Sequence, residues 1–257
     1  MIRLCLHGAS GRMGGQVLRV LPEFSDFSLT AALVGPQSAR LNQEALPGVS
    51  YTCDLHSALK KCDVVIDFSS VEASLRLAQV CAEAGKPLLI GTTGHSQPQL
   101  ETLKQAAAGI AVLMAANTSP GVFVLQKLCR MAAAMLGDGY DIEILELHHR
   151  AKKDAPSGTA LGLAQAVRAE RDLELSVERA SRCQPRSVSE LGLASLRGGD
   201  VCGEHSVFFL GSGERLELSH RVSDRAIFAR GALRLARELL GKTAGFYSMG
   251  DVLNTPN

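Results

Sequence analysis

The chain has 257 residues, with 27 Lys+Arg against 26 Asp+Glu for a formal net charge of +1; 46% of residues are hydrophobic and 4% aromatic. That apolar share supports a core and excludes general disorder, while the near-neutral balance and scarce aromatics exclude a partner nucleic acid held by phosphate contacts or base stacking. The longest uninterrupted apolar stretch, residues 110–116, falls far short of the roughly 20 residues of a spanning helix, and His7-Gly8 interrupts the first apolar run before it reaches signal-peptide length. A cytoplasmic protein without a membrane partner is expected. Seven scattered cysteines with no C-x-x-C spacing predict reduced, packed thiols and no metal centre.

Along the chain, Ile2–His7 predicts a strand that stops at a glycine cluster. Residues 12–21 then carry Met13, Val17, Val20 and Leu21 at helical spacing until Pro22. Strands are predicted at 29–34, 63–68, 87–90 and 110–115, with helices at Val71–Ala84 and 98–108. Repeated β-α-β units with short apolar strands predict a parallel sheet covered by helices on both faces. The pattern changes near Asn117-Thr118-Ser119-Pro120-Gly121. A helix over 122–136, a strand over 140–147 and a helix over 158–170 follow. Residues 173–185 read as loop with some strand, and strands at 193–196, 205–210 and 215–220 suggest an antiparallel or mixed sheet. A helix at 226–240 closes the series. The fold class is therefore α/β: a Rossmann-type doubly wound parallel sheet, then a second α+β domain with a mixed sheet. The expected boundaries are 1–118 with 226–257 for the dinucleotide-binding domain, and 119–225 for the other.

Gly8-Ala9-Ser10-Gly11-Arg12-Met13-Gly14 lies between the first strand and the first helix, a G-x-x-G-x-x-G variant of the dinucleotide fingerprint. Glycines let backbone approach a pyrophosphate, and the N–H groups of the helix end supply donors. The second strand ends Ala32-Leu33-Val34-Gly35 without the acidic residue that would bind a ribose hydroxyl. Arg12, Ser38 and Arg40 are instead candidates for a 2′-phosphate, so the choice between NADPH and NADH stays open with a lean to NADPH. Gly91-Thr92-Thr93-Gly94 and Ala115-Ala116-Asn117-Thr118 close two predicted parallel strands, where ligands of such sheets bind; ordinary turn chemistry explains them nearly as well.

The densest polar constellation is Glu146-Leu147-His148-His149-Arg150-Ala151-Lys152-Lys153-Asp154-Ala155-Pro156-Ser157-Gly158-Thr159-Ala160. Adjacent histidines on a strand point to opposite faces and would not share one metal ion. Ser157 reads as a helix N-cap with the Gly158 and Thr159 N–H groups open to a carboxylate. A histidine able to move a proton, a cationic lysine and an anion-binding helix end suit chemistry on a small carboxylate. Arg225 is a candidate second clamp. Two other readings fit these residues less well. An aldehyde dehydrogenase wants a nucleophilic cysteine, and Cys129 lies in an apolar helix; a redox sensor would need no acid–base pair.

Those residues, with Asp67-Phe68-Ser69, Gly203-Glu204-His205 and Gly250-Asp251-Val252-Leu253, resemble the 4-hydroxy-tetrahydrodipicolinate reductase (dihydrodipicolinate reductase) family over nearly the whole chain. The His148-His149-Arg150 block with Lys152 is the most specific part. The resemblance implies an NAD(P)H-dependent oxidoreductase of lysine and diaminopimelate biosynthesis acting on a cyclic dicarboxylate. It implies catalytic roles for His148 and Lys152, and substrate binding by His149, Ser157, Gly158, Thr159 and Arg225. The cofactor would lie on Gly8, Ala9, Ser10, Gly11, Arg12, Met13, Phe68, Gly91, Thr92, Thr93, Ala115, Ala116, Asn117 and Thr118. The site would lie between the domains, the last helix would return to the nucleotide domain, and the central domain would build a homotetramer. Two departures stand out: Ala151 where members commonly carry a third histidine, and Val34-Gly35 where many carry an acidic residue.

Overall fold

A computed structural model describes residues 1–177, 179 and 183–253. The chain divides into two compact units, Met1–Ser119 with Ala226–Asn257, and Pro120–Arg225. The first unit opens with β1 (Ile2–His7), α1 (Arg12–Val20) and β2 (Phe27–Leu33). Next come β3 (Glu44–Leu46), β4 (Val49–Thr52) and α2 (Leu55–Lys60), in a stretch whose spacing predicts no element. Then β5 (Val64–Asp67), α3 (Val71–Ala84), β6 (Leu88–Ile90), α4 (Gln97–Ala106) and β7 (Ala111–Met114) alternate. The second unit comprises α5 (Pro120–Leu136), β8 (Asp141–His148), α6 (Gly158–Arg168), β9 (Glu174–Ser176), β10 (Glu190–Arg197), β11 (Gly203–Leu210) and β12 (Arg215–Val222). The chain then re-enters the first unit as α7 (Ala226–Leu239), β13 (Gly245–Tyr247) and α8 (Met249–Leu253). Of the stretch 173–185, residues 178 and 180–182 lie outside the described residues; the described part holds β9.

The first sheet has the order β13-β7-β6-β5-β1-β2-β4-β3, and every pair is parallel except β3 with β4. A parallel sheet carries helices on both faces, so its strands must be apolar on both. Val64, Val65 and Ile66 are wholly buried accordingly. Side chains of Cys5, Leu33, Val65, Leu88 and Val112 meet α2, α3 and α4 through Leu59, Leu77, Cys81 and Leu103. The other face receives α7, which also packs on α1. α3 starts where the Ser70 hydroxyl accepts from the Ala73 N–H, and it stops at Gly85, whose φ of +64° a side chain would disfavour.

The second sheet runs β12-β11-β8-β10-β9, with β8 antiparallel to β11 and parallel to β10. Ile142, Ile144, Leu191, Leu193, Val207 and Phe209 face α5 and α6 in one core, each burial contributing about 1.5–3 kcal/mol. The opposite face presents Leu145, Leu147 and Phe208 partly exposed and Leu196 at 48% exposure. Among the described residues no helix is long and apolar enough to cross a membrane.

Candidate active site

At the carboxyl edge of the first sheet, Leu33, His7, Asp67, Ile90 and Met114 stand in one register row. Residues 8–13, Phe68, 91–93 and 115–118 all leave the sheet from that row, which is how the fold gathers four separated segments at one edge. Gly8 has φ +73°, and a Cβ there would collide with the Phe68 carbonyl; one on Gly14 would strike the Gly8 carbonyl. A Cβ on Gly91 would enter the Phe68 ring. The N-cap Gly11 has no side chain to occupy the first-turn N–H groups of α1. A backbone cradle of this kind, opening on a helix N-terminus, fits the pyrophosphate of a dinucleotide. Ser10, Arg12, Thr93 and Ala116 are exposed at this edge, Met13 and Asn117 half-buried, and Ala9 and Ala115 buried.

Asp67 ties these loops together. Its buried carboxylate meets His7 Nδ1 at 2.8 Å and accepts from the Thr92 hydroxyl at 2.7 Å and the Ser69 hydroxyl at 2.5 Å. Ser69 N–H also donates to Thr92 Oγ1 at 3.0 Å. Burial favours the neutral acid, but His7, Ser69 and Thr92 outweigh it and hold Asp67 below the usual carboxylate range. The Thr92 side chain is thus engaged within the loop, and the Thr118 hydroxyl donates to the Phe228 carbonyl of α7 at 2.6 Å.

In the second unit, one face of β8 reads Ile142, Ile144, Glu146, His148, all buried. The first pair belongs to the core, and the second begins a polar site at the strand's end. Cross-strand register adds Ser195 and His205 beside Glu146, His220 beyond His205, and Arg197 beside His148. Glu146 Oε2 contacts His148 Nδ1, and Arg197 grips both carboxylate oxygens at 2.9 and 2.8 Å. Glu146 Oε1 also accepts from the Ser157 N–H at 3.1 Å. Ser157 caps α6 through Ala160 N–H at 3.2 Å and meets His205 Nε2 at 3.2 Å. The His148 and His205 rings lie edge to face, 5.1 Å apart.

Lys152 sits on the loop between β8 and α6, its Nζ 2.8 Å from Asp154 Oδ2, while Arg197 Nη2 donates to the Asp154 carbonyl at 2.6 Å. Burial would raise Glu146, yet Arg197, Ser195 and His148 draw it down to about 2. Burial lowers His148 and takes His205 down to about 4, with Glu146 opposing both shifts. The arrangement gathers an ionised carboxylate, an imidazole held by it, a lysine and a helix N-terminus over the end of β8, the following loop and the start of α6.

His148, Lys152, Ser157 and the N-terminal residues Gly158 and Thr159 are therefore gathered at one end of β8 and α6. His149 is half-buried and turns the chain, its carbonyl accepting from the Lys152 N–H at 3.1 Å. Arg225 follows β12, half-buried, and takes no part in the Glu146 network among the described residues. Sequence reasoning missed the parts played by Glu146, Arg197 and His205. The signal was a carboxylate two residues before His148 on a strand, hence on the same face, where Ile142 and Ile144 before it are apolar. Cys129 is buried in α5, and burial pushes its thiol up to about 12, so it offers no nucleophile.

Family models described as the N-terminus and C-terminus of dihydrodipicolinate reductase match residues 2–118 and 121–253. The chain belongs to the dihydrodipicolinate reductase family. It is 45% identical to the 4-hydroxy-tetrahydrodipicolinate reductase of Anaeromyxobacter sp. (strain Fw109-5), covering 98% of each chain. It is 42% identical to that of Syntrophotalea carbinolica, over 98% of this chain and 99% of the relative. The fold is similar to that of a dipicolinate-bound dihydrodipicolinate reductase from Paenisporosarcina sp. TG-14, with a TM-score of 0.81, 24% identity and 98% of both chains covered.

Proposed function

We propose that this chain is a 4-hydroxy-tetrahydrodipicolinate reductase of lysine and diaminopimelate biosynthesis, working in the cytoplasm as a homotetramer. The observation that carries the reading is the buried His148, held by Glu146 beside the N-terminus of α6 and the Lys152 loop. A proton carrier next to an anion site is what reduction of a ring dicarboxylate requires.

A nicotinamide cofactor held on residues 8–13, 91–93 and 115–118 would supply hydride chemistry, and the acceptor is C4 of the unsaturated ring left when the hydroxylated substrate loses water. Conjugation with the ring imine makes that carbon electrophilic, and charge builds on the ring as it is reduced. His148 or Lys152 donates the balancing proton, and the lysine ammonium stabilises the charge while it exists. His149, Ser157, Gly158, Thr159 and Arg225 hold the two carboxylates, the N–H groups of α6 acting as donors to one of them. Residues 1–118 with 226–257 bind the cofactor on the loops of the carboxyl edge, and 119–225 bind substrate and build the oligomer. The partly exposed leucines on the outer face of the second sheet support assembly through that face. The lean to NADPH rests on Val34-Gly35, which brings no carboxylate to the end of β2, and on Arg12 and Arg40 nearby in sequence.

The test follows nicotinamide absorbance while substrate is generated in situ from pyruvate and aspartate semialdehyde. NADH and NADPH are run side by side on wild type and His148→Gln. Oxidation that depends on His148 supports the reductase; binding of a cofactor without oxidation would favour a sensor.

A further inference from the structure

We infer that Glu146 is the positioning residue of this site: clamped by Arg197, its carboxylate fixes the proton of His148 on Nδ1 and leaves Nε2 as the nitrogen that exchanges the reaction's proton. The inference rests on the reading of His148 as the proton carrier, and its geometry stands apart from that reading. Both Glu146 oxygens are filled, one by Ser157 N–H and Arg197 Nη2, the other by Arg197 Nη1 and His148 Nδ1. A carboxylate only accepts, so the ring nitrogen facing it carries a hydrogen. Arg197 is always charged, and its bidentate grip keeps Glu146 ionised although the side chain is wholly buried.

The fold does not ask for this acid. Ile142 and Ile144 occupy the same face of β8, and a third apolar residue would extend the core at lower desolvation cost. What Glu146 adds is placement. The same carboxylate that orients His148 also holds the first N–H of the α6 cap, and the same arginine holds the carbonyl of Asp154, the residue paired with Lys152. One ion pair therefore sets the mutual positions of the proton carrier, the anion site and the lysine loop.

The groups facing His148 are Glu146 on its own strand, Arg197 from β10, His205 from β11 and Lys152 from the following loop. Glu146 is the anion among them, since Asp154 is engaged with Lys152. Neutralising Glu146 leaves burial and the cations unopposed, and the second proton of His148 is then held only at lower pH.

Two measurements on the full-length protein test this. In the first, ¹⁵N-histidine NMR without substrate should show His148 of the wild type as the Nδ1–H tautomer; an Nε2–H tautomer would overturn the assignment whatever the enzyme's activity. In Glu146→Gln the amide can donate to Nδ1, and the tautomer should shift toward Nε2–H. The second is the pH dependence of kcat/KM. The limb on which activity falls as pH rises should move to lower pH by about one unit in Glu146→Gln, and Glu146→Asp, which keeps the charge, should restore most of it. A uniform loss of rate with the limb unmoved would reduce Glu146 to a structural support and sink the inference. Wild-type protein without reductase turnover would sink the functional reading and leave the tautomer result to decide the positioning.

Discussion

Gly203 lies against the imidazole of His148 so closely that a Cβ added there would sit 3.0 Å from Nε2. The ring is backed by Glu146 on its other nitrogen and by the His205 ring in a T-shaped contact, so it has little room to yield. Gly203→Ala should therefore displace the imidazole while leaving the sheet paired. A shift of about 1 Å at a reacting group costs on the order of 100-fold in rate. Steady-state kinetics should show kcat falling by about that factor, and Tm should fall as well because Gly203 has φ +155°, where a side chain is strained; wild-type kcat would show that the ring relaxes freely.

His205 carries the pH signature of the second unit. Its folded pKa of about 4 lies below the unfolded value near 6.5. As pH falls through 6.5 the unfolded chain takes the proton first, so stability is lost progressively down to about pH 4. Glu146, at about 2, adds its own loss at lower pH, below the unfolded carboxylate value. His205→Gln retains a hydrogen-bonding group for Ser157 and should flatten Tm between pH 6.5 and 4. Parallel melting curves for the two proteins across that window would refute the assignment.

The cofactor lean can be read from two arginines. If Arg12 and Arg40 meet a 2′-phosphate, replacing both with alanine should raise the KM for NADPH by about tenfold or more, the worth of one or two charge-assisted bonds. The KM for NADH should barely move. Equal changes for both cofactors would place the arginines elsewhere on the nucleotide.

Leu196 and Leu147 are cross-strand neighbours on the outer face of the second sheet. A carboxylate introduced by Leu196→Asp would be desolvated in any assembly built on that face. Sedimentation should show a tetramer for wild type and smaller species for the variant at equal concentration. A tetramer in both would move the interface to another surface, such as the exposed Val124, Leu128, Met131 and Met135 stripe of α5.

The strands and helices that carry the site were legible because each has a strong local signal. The run from Val64 to Ile66 is apolar on both faces, and α3 is bounded by Ser70 and Gly85. The glycine loop is legible for a harder reason, since carbonyls of Phe68 and Gly8 leave no space for a side chain. What lay beyond reading was set by distant partners. β4 is a strand because Tyr51 and Thr52 pair with Ala32 and Leu33, and β13 is three residues long and exists through its pairing with β7. In the site, the cluster around His148 was visible but its support was not. Arg197 lies 51 residues from Glu146, and nothing in its local sequence says that it crosses to β8.

The interleaved order of the two units has a consequence during synthesis. β13 and the buried helix α7 emerge only after the second unit, Pro120–Arg225, has been made. At translation rates of about 5–20 residues per second, those intervening residues, about a hundred, take roughly 5–20 s. For that interval the nascent first unit has an unpaired edge at β7 and a bare apolar face where α7 will pack, both sticky features. The second unit is contiguous and can close first, so the half that begins the chain is the last to be finished, and a ribosome that stops early releases it without its cover.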